Sequence, residues 1–203
     1  MKSFSEIDTT SKRAARAAGY SWGISEEVGK NIKLLEFFGL PGIKNLIYFL
    51  KKKKLEKFEN LSLITADNKT TKTKFCPLIS GTSFLDQAKS LENLKEIKFN
   101  NIAFPILFLP FVSRASELIG KRLFLKIDKS EYLLNFNKKI YSNFLTNDVI
   151  EFADNVLIKF LNNSDSFTEN EWKELYKLSE DTFVEERESL KKDSAGAGLT
   201  DND

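Results

Sequence analysis

The 203-residue sequence predicts an α+β fold, and three observations carry that prediction. Apolar residues recur at helical spacing through roughly the first quarter of the chain, strand-like alternation fills the middle, and one amphipathic helical pattern follows late. Helices first, strands together and a helix last is the order of an α+β chain rather than of alternating strand–helix units. The expected architecture is an N-terminal layer of short helices, a central and mainly antiparallel sheet, a C-terminal helix and a glycine-rich tail. Residues 1–193 are expected to form a single globular domain, with 194–203 as a glycine-rich acidic tail.

The first helix is expected from Ser3, where Ser3-Phe4-Ser5-Glu6 reads as a capping box. Phe4, Ile7, Ser11, Ala14, Ala15 and Ala18 follow helical spacing, Gly19 suits the C′ position, and the alanines allow another element to come close. A second helix is expected from Ser25, with Glu26 and Glu27 in its first turn where the dipole favours carboxylates. Its apolar face is Val28, Ile32, Leu35 and Phe38, and Gly39 ends it. Pro41 suits the first turn of a third helix with Ile43, Leu46, Ile47 and Leu50 facing inward and Lys51 to Lys54 at its end.

Residues 60–64 are expected as a strand and 65–74 as a polar loop. Phe75 to Gly81 reads as a short apolar segment broken by Pro77, with a brief helix capped by Thr82 or Ser83 after it. Glu96 to Phe99 and Ile102 to Leu109 read as two strands around Asn100-Asn101, with Pro105 marking an edge or a bulge. A helix follows from Pro110 to Ile119, closed by Gly120. Leu123 to Ile127, Tyr132 to Phe136, Ile140-Tyr141 and Val156 to Leu161 read as further strands, while 148–152 fits a helical turn as well as a strand. Thr168 is the expected N-cap of the last helix, with Glu169 and Glu171 early and an extension toward Leu190 and Lys192.

Composition limits the chemistry. Hydrophobic residues make up 41% and charged residues 30%, the profile of a soluble globular chain. The net charge of +2, from 31 basic and 29 acidic residues, gives no general attraction for nucleic acid or an anionic membrane, so neither is an expected partner. No apolar leader follows Met1, and the longest apolar run, Ile102 to Val112, is interrupted by two prolines and too short to span a bilayer. The expected location is therefore cytoplasmic. The sequence contains no histidine, which removes Ser-His-Asp and Cys-His triads and His-ligated zinc or iron. A single cysteine removes internal disulfides, cysteine-cluster zinc and iron–sulfur sites. Any catalysis falls to carboxylates, Lys, Arg, Tyr, Ser/Thr or Cys76, with Mg²⁺ or an organic cofactor; which cofactor, and whether there is an enzyme at all, stay open.

Arg16, Gly19, Ser21-Trp22-Gly23, Glu26-Glu27 and Gly39-Leu40-Pro41-Gly42 form the densest cluster of distinctive residues. With Cys76-Pro77-Leu78, Leu109-Pro110-Phe111 and the closing GAGLTDND, they resemble a bacterial family of domains of unknown function. The resemblance extends over nearly the whole chain and implies no catalytic residues. This chain is richer in Lys, Asn and Phe than that pattern.

Arg13 and Arg16, three apart on one helix face, can clamp a carboxylate or phosphate, or else pair internally with Glu6, Glu26 or Glu27. Tyr20 and Trp22 either wedge the turn between two helices or line a ligand pocket. Glu26 and Glu27 can supply a base or a Mg²⁺ ligand, although adjacent helical residues diverge by about 100° and first-turn dipole pairing also explains them. Cys76 is a candidate nucleophile if a cation lowers its pKa, and otherwise a buried structural thiol. Lys51 to Lys54 with Lys57 reads as a solvated helix end. Asp201 and Asp203 in the tail, if it docks, can close over Arg16 and Trp22; the alternative is a disordered tail. Two functional readings result: a pocket at the helix junction for a small anionic molecule, with or without catalysis, or an accessory protein that docks on a partner enzyme. Oligomeric state is not readable.

Overall fold

The structure, a computed structural model, describes residues 2–143 and 146–182. The described residues through Asn163 form one unit and those from Ser164 form a second. The fold is α+β, as the order of patterns predicts.

In the first unit, α1 (Phe4–Ala17) begins at the expected capping box, where the Ser3 side chain accepts from the Glu6 amide and Glu6 reaches back to Ser3. Gly19, at φ +92°, turns the chain into α2 (Trp22–Phe37). This helix starts three residues earlier than predicted because Ser21, not Ser25, is the N-cap. Ser25 is instead buried and donates to the Ser21 carbonyl at 2.8 Å. Glu26 and Glu27 consequently lie beyond the first turn, and the dipole argument for them fails.

α1 and α2 approach so closely that a Cβ on Gly29 would sit 2.5 Å from Asp8 Oδ1. A Lys33–Asp8 ion pair at 3.0 Å spans the same contact. α3 (Gly42–Lys53) follows Pro41, but its buried face is Asn45, Leu46 and Phe49. Ile43 and Ile47, predicted to face inward, are 38% and 46% exposed, because the helix is rotated to seat Phe49 against Phe58 and Phe104.

Residues 60–64 are not a strand; a two-residue β1 (Asp67–Asn68) lies inside the segment expected to be loop. Around Cys76 the structure also departs from the expected pattern. Pro77 occupies the first turn of α4 (Pro77–Asp86), so the helix includes the stretch read as broken apolar chain. Short α5 (Ala88–Leu91) follows.

The two strands predicted around Asn100-Asn101 are one, β2 (Glu96–Ala103), which continues through Asn101 at φ +50°. Asparagine tolerates that backbone conformation, and the Asn101 carbonyl accepts from Phe75 N–H at 2.8 Å. Beyond Ala103 the expected strand is replaced by a 3₁₀ turn at Pro105–Leu107, entered through Phe104 at φ +43°. α6 (Leu109–Ile119) then runs to Gly120 at φ +65°. It packs between the sheet on one side and α2 and α4 on the other, and even Ser113 and Ser116 are fully buried. Gly81 of α4 makes this possible, since a Cβ there would lie 2.2 Å from the Phe111 ring.

Four strands complete the sheet: β3 (Leu123–Ile127), β4 (Ser130–Asn135), β5 (Lys139–Ser142) and β6 (Phe152–Phe160). The segment left between helix and strand therefore runs into β6. Sheet order is β1-β2-β6-β3-β4-β5, antiparallel except for β1 with β2. β6 enters between β2 and β3, pairing Ile158 with both Ile97 and Leu125 and Val156 with Phe99 and Ile127. These residues and Leu123, Tyr132 and Leu134 all face the helices. The β4–β5 turn uses positive φ at Phe136 and Asn137, and Asn137 accepts from Ser113 of α6 at 2.9 Å.

In the second unit, α7 (Glu169–Ser179) begins at the predicted N-cap Thr168, which forms a capping box with Glu171. Phe167 stacks on Trp172 at 5.6 Å. The predicted continuation toward Leu190 and the tail with Asp201 and Asp203 lie outside the described residues. No helix among the described residues is long and apolar enough to cross a membrane.

Candidate functional site

A cavity of about 470 Å³ opens where the α1–α2 turn meets the end of α3 and the start of α4. Its volume lies in the range of small-molecule sites. The turn supplies Gly19, Tyr20 and Ser21; α3 and the chain after it supply Lys53, Glu56, Lys57 and Phe58; Cys76 and Ile79 come from the entry to α4.

Tyr20 organises the junction. Its carbonyl accepts from Arg16 Nη1 at 2.8 Å, its hydroxyl lies 3.4 Å from Cys76 Sγ, and its ring carries the Lys53 ammonium 4.9 Å from the centroid. Lys53 also donates to the Ala18 carbonyl at 3.0 Å, so the end of α3 is tied to the end of α1. Backbone groups freed at a helix end are thereby satisfied by a cation, as the dipole favours.

Cys76 is the N-cap residue of α4, and its own amide donates to the Glu59 carbonyl at 2.8 Å. Burial pushes the thiol pKa up, more than the Tyr20 hydroxyl, the Ile79 and Leu78 amides and the Lys53 charge pull it down. The sulfur is therefore a neutral thiol around neutrality, the reverse of what an activated nucleophile needs. Burial likewise raises the Tyr20 phenol. The cavity floor is neutral, and the charges stand at its exposed rim on Lys57 and Glu56 and on half-buried Lys53.

The residues predicted from sequence are distributed unevenly about this cavity. Arg16 lies 5.1 Å over the Trp22 ring, and Trp22 is 61% exposed; neither borders the cavity. Arg13 is exposed, without an ion pair among the described residues. The expected pairing of Arg13 or Arg16 with the nearby glutamates does not form. Glu6 pairs with Lys2 at 3.5 Å, while Glu27 takes Lys30 at 2.8 Å and Arg114 of α6, which also donates to Asn31 at 3.1 Å. Burial alone raises the Glu27 pKa, but hydrogen bonds from Arg114 and Lys30 outweigh it and hold the carboxyl below its ordinary range. Glu27 is a structural tie between α2 and α6, with its oxygens occupied.

Sequence reasoning named Tyr20 and Cys76 as separate candidates without bringing them together, and it missed Lys53, Lys57 and Phe58. Taken by themselves, the lysines fit a solvated helix end. The signal was their spacing: Lys53 closes α3 and Lys57 follows four residues later, in the chain that bends back over the cavity. Among the described residues no group of three or more His, Cys, Asp or Glu is placed to hold a metal ion.

Fold and cavity together describe an α+β domain with a ligand-sized opening at a helix junction. Residues 2–76 match the model of a protein family of unknown function, DUF3726. The match takes in the N-terminal motifs that carried the resemblance and ends at Cys76; Leu109-Pro110-Phe111 and the closing residues lie beyond it. Of the residues that border the cavity, all but Ile79 fall within it. No curated protein and no solved structure matches the chain.

Proposed function

We propose that the protein binds a small anionic molecule in the cavity beneath the α1–α2 turn. The observation that carries this reading is the pair Lys53 and Lys57 beside a neutral, buried floor of Tyr20 and Cys76. Two lysines converging on one cleft attract an anion more strongly than either charge alone. The reading moves the anion contact from Arg16 to the lysines. Arg16 donates to the Tyr20 carbonyl but does not border the cavity.

The groove between α1 and α3, about 300 Å³ and lined by Ile7, Ala14, Ile43, Leu46 and Ile47, supports docking on a partner protein less well. Its charged groups, Lys2 and Glu6, pair with each other, so nothing in it selects a partner.

Thermal-shift measurements against a panel of small carboxylates and phosphates test the proposal. At least one anion should raise the melting temperature, Lys57→Ala should remove the shift, and Arg16→Ala should retain most of it. Loss with Arg16→Ala and retention with Lys57→Ala would move the site to the outer side of the turn.

A further inference from the structure

We infer that the ligand is a monoanionic carboxylic acid with a compact apolar body, an inference that rests on the anion-binding reading above. The first observation is charge. Lys53 and Lys57 contribute +2 and Glu56 −1, so the border of the cavity carries a formal +1. Glu56 lies 3.9 Å from Lys52, whose ammonium is held more closely by Glu151 at 2.5 Å, so the Glu56 charge stays at the rim. A carboxylate is matched by this border. A phosphate monoester, close to a dianion at neutral pH, leaves charge uncompensated and meets Glu56 as well.

The second observation is the gradient of exposure. Lys57 and Glu56 are exposed and Lys53 is half-buried, whereas Tyr20 and Cys76 at the floor are only 7% and 2% exposed. Half-buried Ile24, Phe58 and Ile79 supply the apolar part of the lining, and exposed Ser21 and Asn60 add to its polar part. An ionised head is costly away from water unless it is paired, so it belongs at the lysines. The hydrocarbon part then lies against Ile24, Phe58 and Ile79, where burial of apolar surface stabilises it. The Tyr20 hydroxyl and Cys76 thiol, which already face each other, offer a soft, weakly polar end wall.

Isothermal titration of the full chain with four probes tests this: phenylacetate, benzyl alcohol, phenyl phosphate and inorganic phosphate. Phenylacetate should saturate a single site and bind roughly fivefold more tightly than phenyl phosphate, with Lys57→Gln weakening it by about fivefold. Benzyl alcohol and inorganic phosphate should bind worse than either. Glu56→Gln, which takes the border to +2, should shift the preference toward phenyl phosphate. Phenyl phosphate binding as tightly as phenylacetate to the unaltered chain would overturn the carboxylate inference while leaving anion binding intact. Equal binding of benzyl alcohol would overturn both readings. A chain that binds none of the probes would overturn the compact-apolar-acid inference, and the thermal-shift panel would then decide anion binding separately.

Discussion

On the outer side of the α1–α2 turn Arg16 lies over Trp22; on the inner side Lys53 lies over Tyr20. The two cation–aromatic pairs are built from similar groups at similar distances, yet they do different work. Trp22 is 61% exposed, so its pair gains only the modest energy of a solvated contact, and Arg16 matters more for its bond to the Tyr20 carbonyl. Tyr20 is buried, and Lys53 also holds the Ala18 carbonyl, so the inner pair ties α3 to the α1–α2 turn and borders a cavity. The type of residue predicts the pairing; burial decides which pair borders the candidate site.

Tyr20 is the position where the inner pair is most vulnerable. Tyr20→Ala should cost about 3 kcal/mol of stability, measured by urea unfolding, because it empties a packed position under Lys53 and Cys76. A loss no larger than that of a surface substitution would mean that the inner side of the turn is not its anchor. Gly29→Ala asks whether the turn or the helix contact beyond it holds α1 on α2. With Asp8 Oδ1 2.5 Å from the new methyl position, roughly 2 kcal/mol should be lost. A neutral result would show that α1 shifts freely and that the turn alone fixes it.

A third substitution, Glu27→Gln, probes a tie far from the turn and should cost about 1 to 2 kcal/mol at neutral pH, since Arg114 keeps Asn31 but loses its carboxylate. The Glu27 pKa is lowered in the folded chain, so its contribution is present above the ordinary carboxylate range of about 4.3 and fades as pH falls through the depressed native value. Urea midpoints of the parent chain and the variant should therefore converge in acid. A constant gap down to low pH would show that the loss came from packing rather than charge.

Smaller effects separate the two aromatic pairs further. Tyr20→Phe keeps the ring under Lys53 and removes only the contact with Cys76 Sγ, at a cost of about 1 kcal/mol. The thiol, losing a partner that lowers its pKa, should react more slowly with an alkylating reagent in the native state. Faster reaction would indicate that the hydroxyl merely screens the sulfur. Trp22→Ala should cost only about 0.5 kcal/mol and leave ligand-induced shifts intact. A large loss would return the outer pair to the centre of the site.

Much of the fold was legible because its signals are local. The capping boxes at Ser3 and Thr168 and the glycines at the ends of α1, α2 and α6 mark termini by hydrogen-bonding and dihedral rules that act within a few residues. The alternation of Leu123, Leu125 and Ile127 likewise reads directly as one buried sheet face. The errors lie where local signals compete. Ser21 and Ser25 are both acceptable N-caps, and burial of Ser25 chose between them. Pro77 and Pro105 each punctuate the chain, but one opens a helix and the other a 3₁₀ turn, according to how Cys76 and Phe104 are held by distant backbone.

The α+β order, the ends of α1, α3 and α6, the absence of histidine chemistry and the junction around Tyr20 are all carried by the sequence alone. Those follow from composition and from interactions between residues close in the chain. The three-dimensional fold alone sets β6 between β2 and β3, pairs Glu27 with Arg114, and brings Lys53, Lys57 and Cys76 to one cavity. Each is a contact between segments far apart in sequence, set by which surfaces must be buried together.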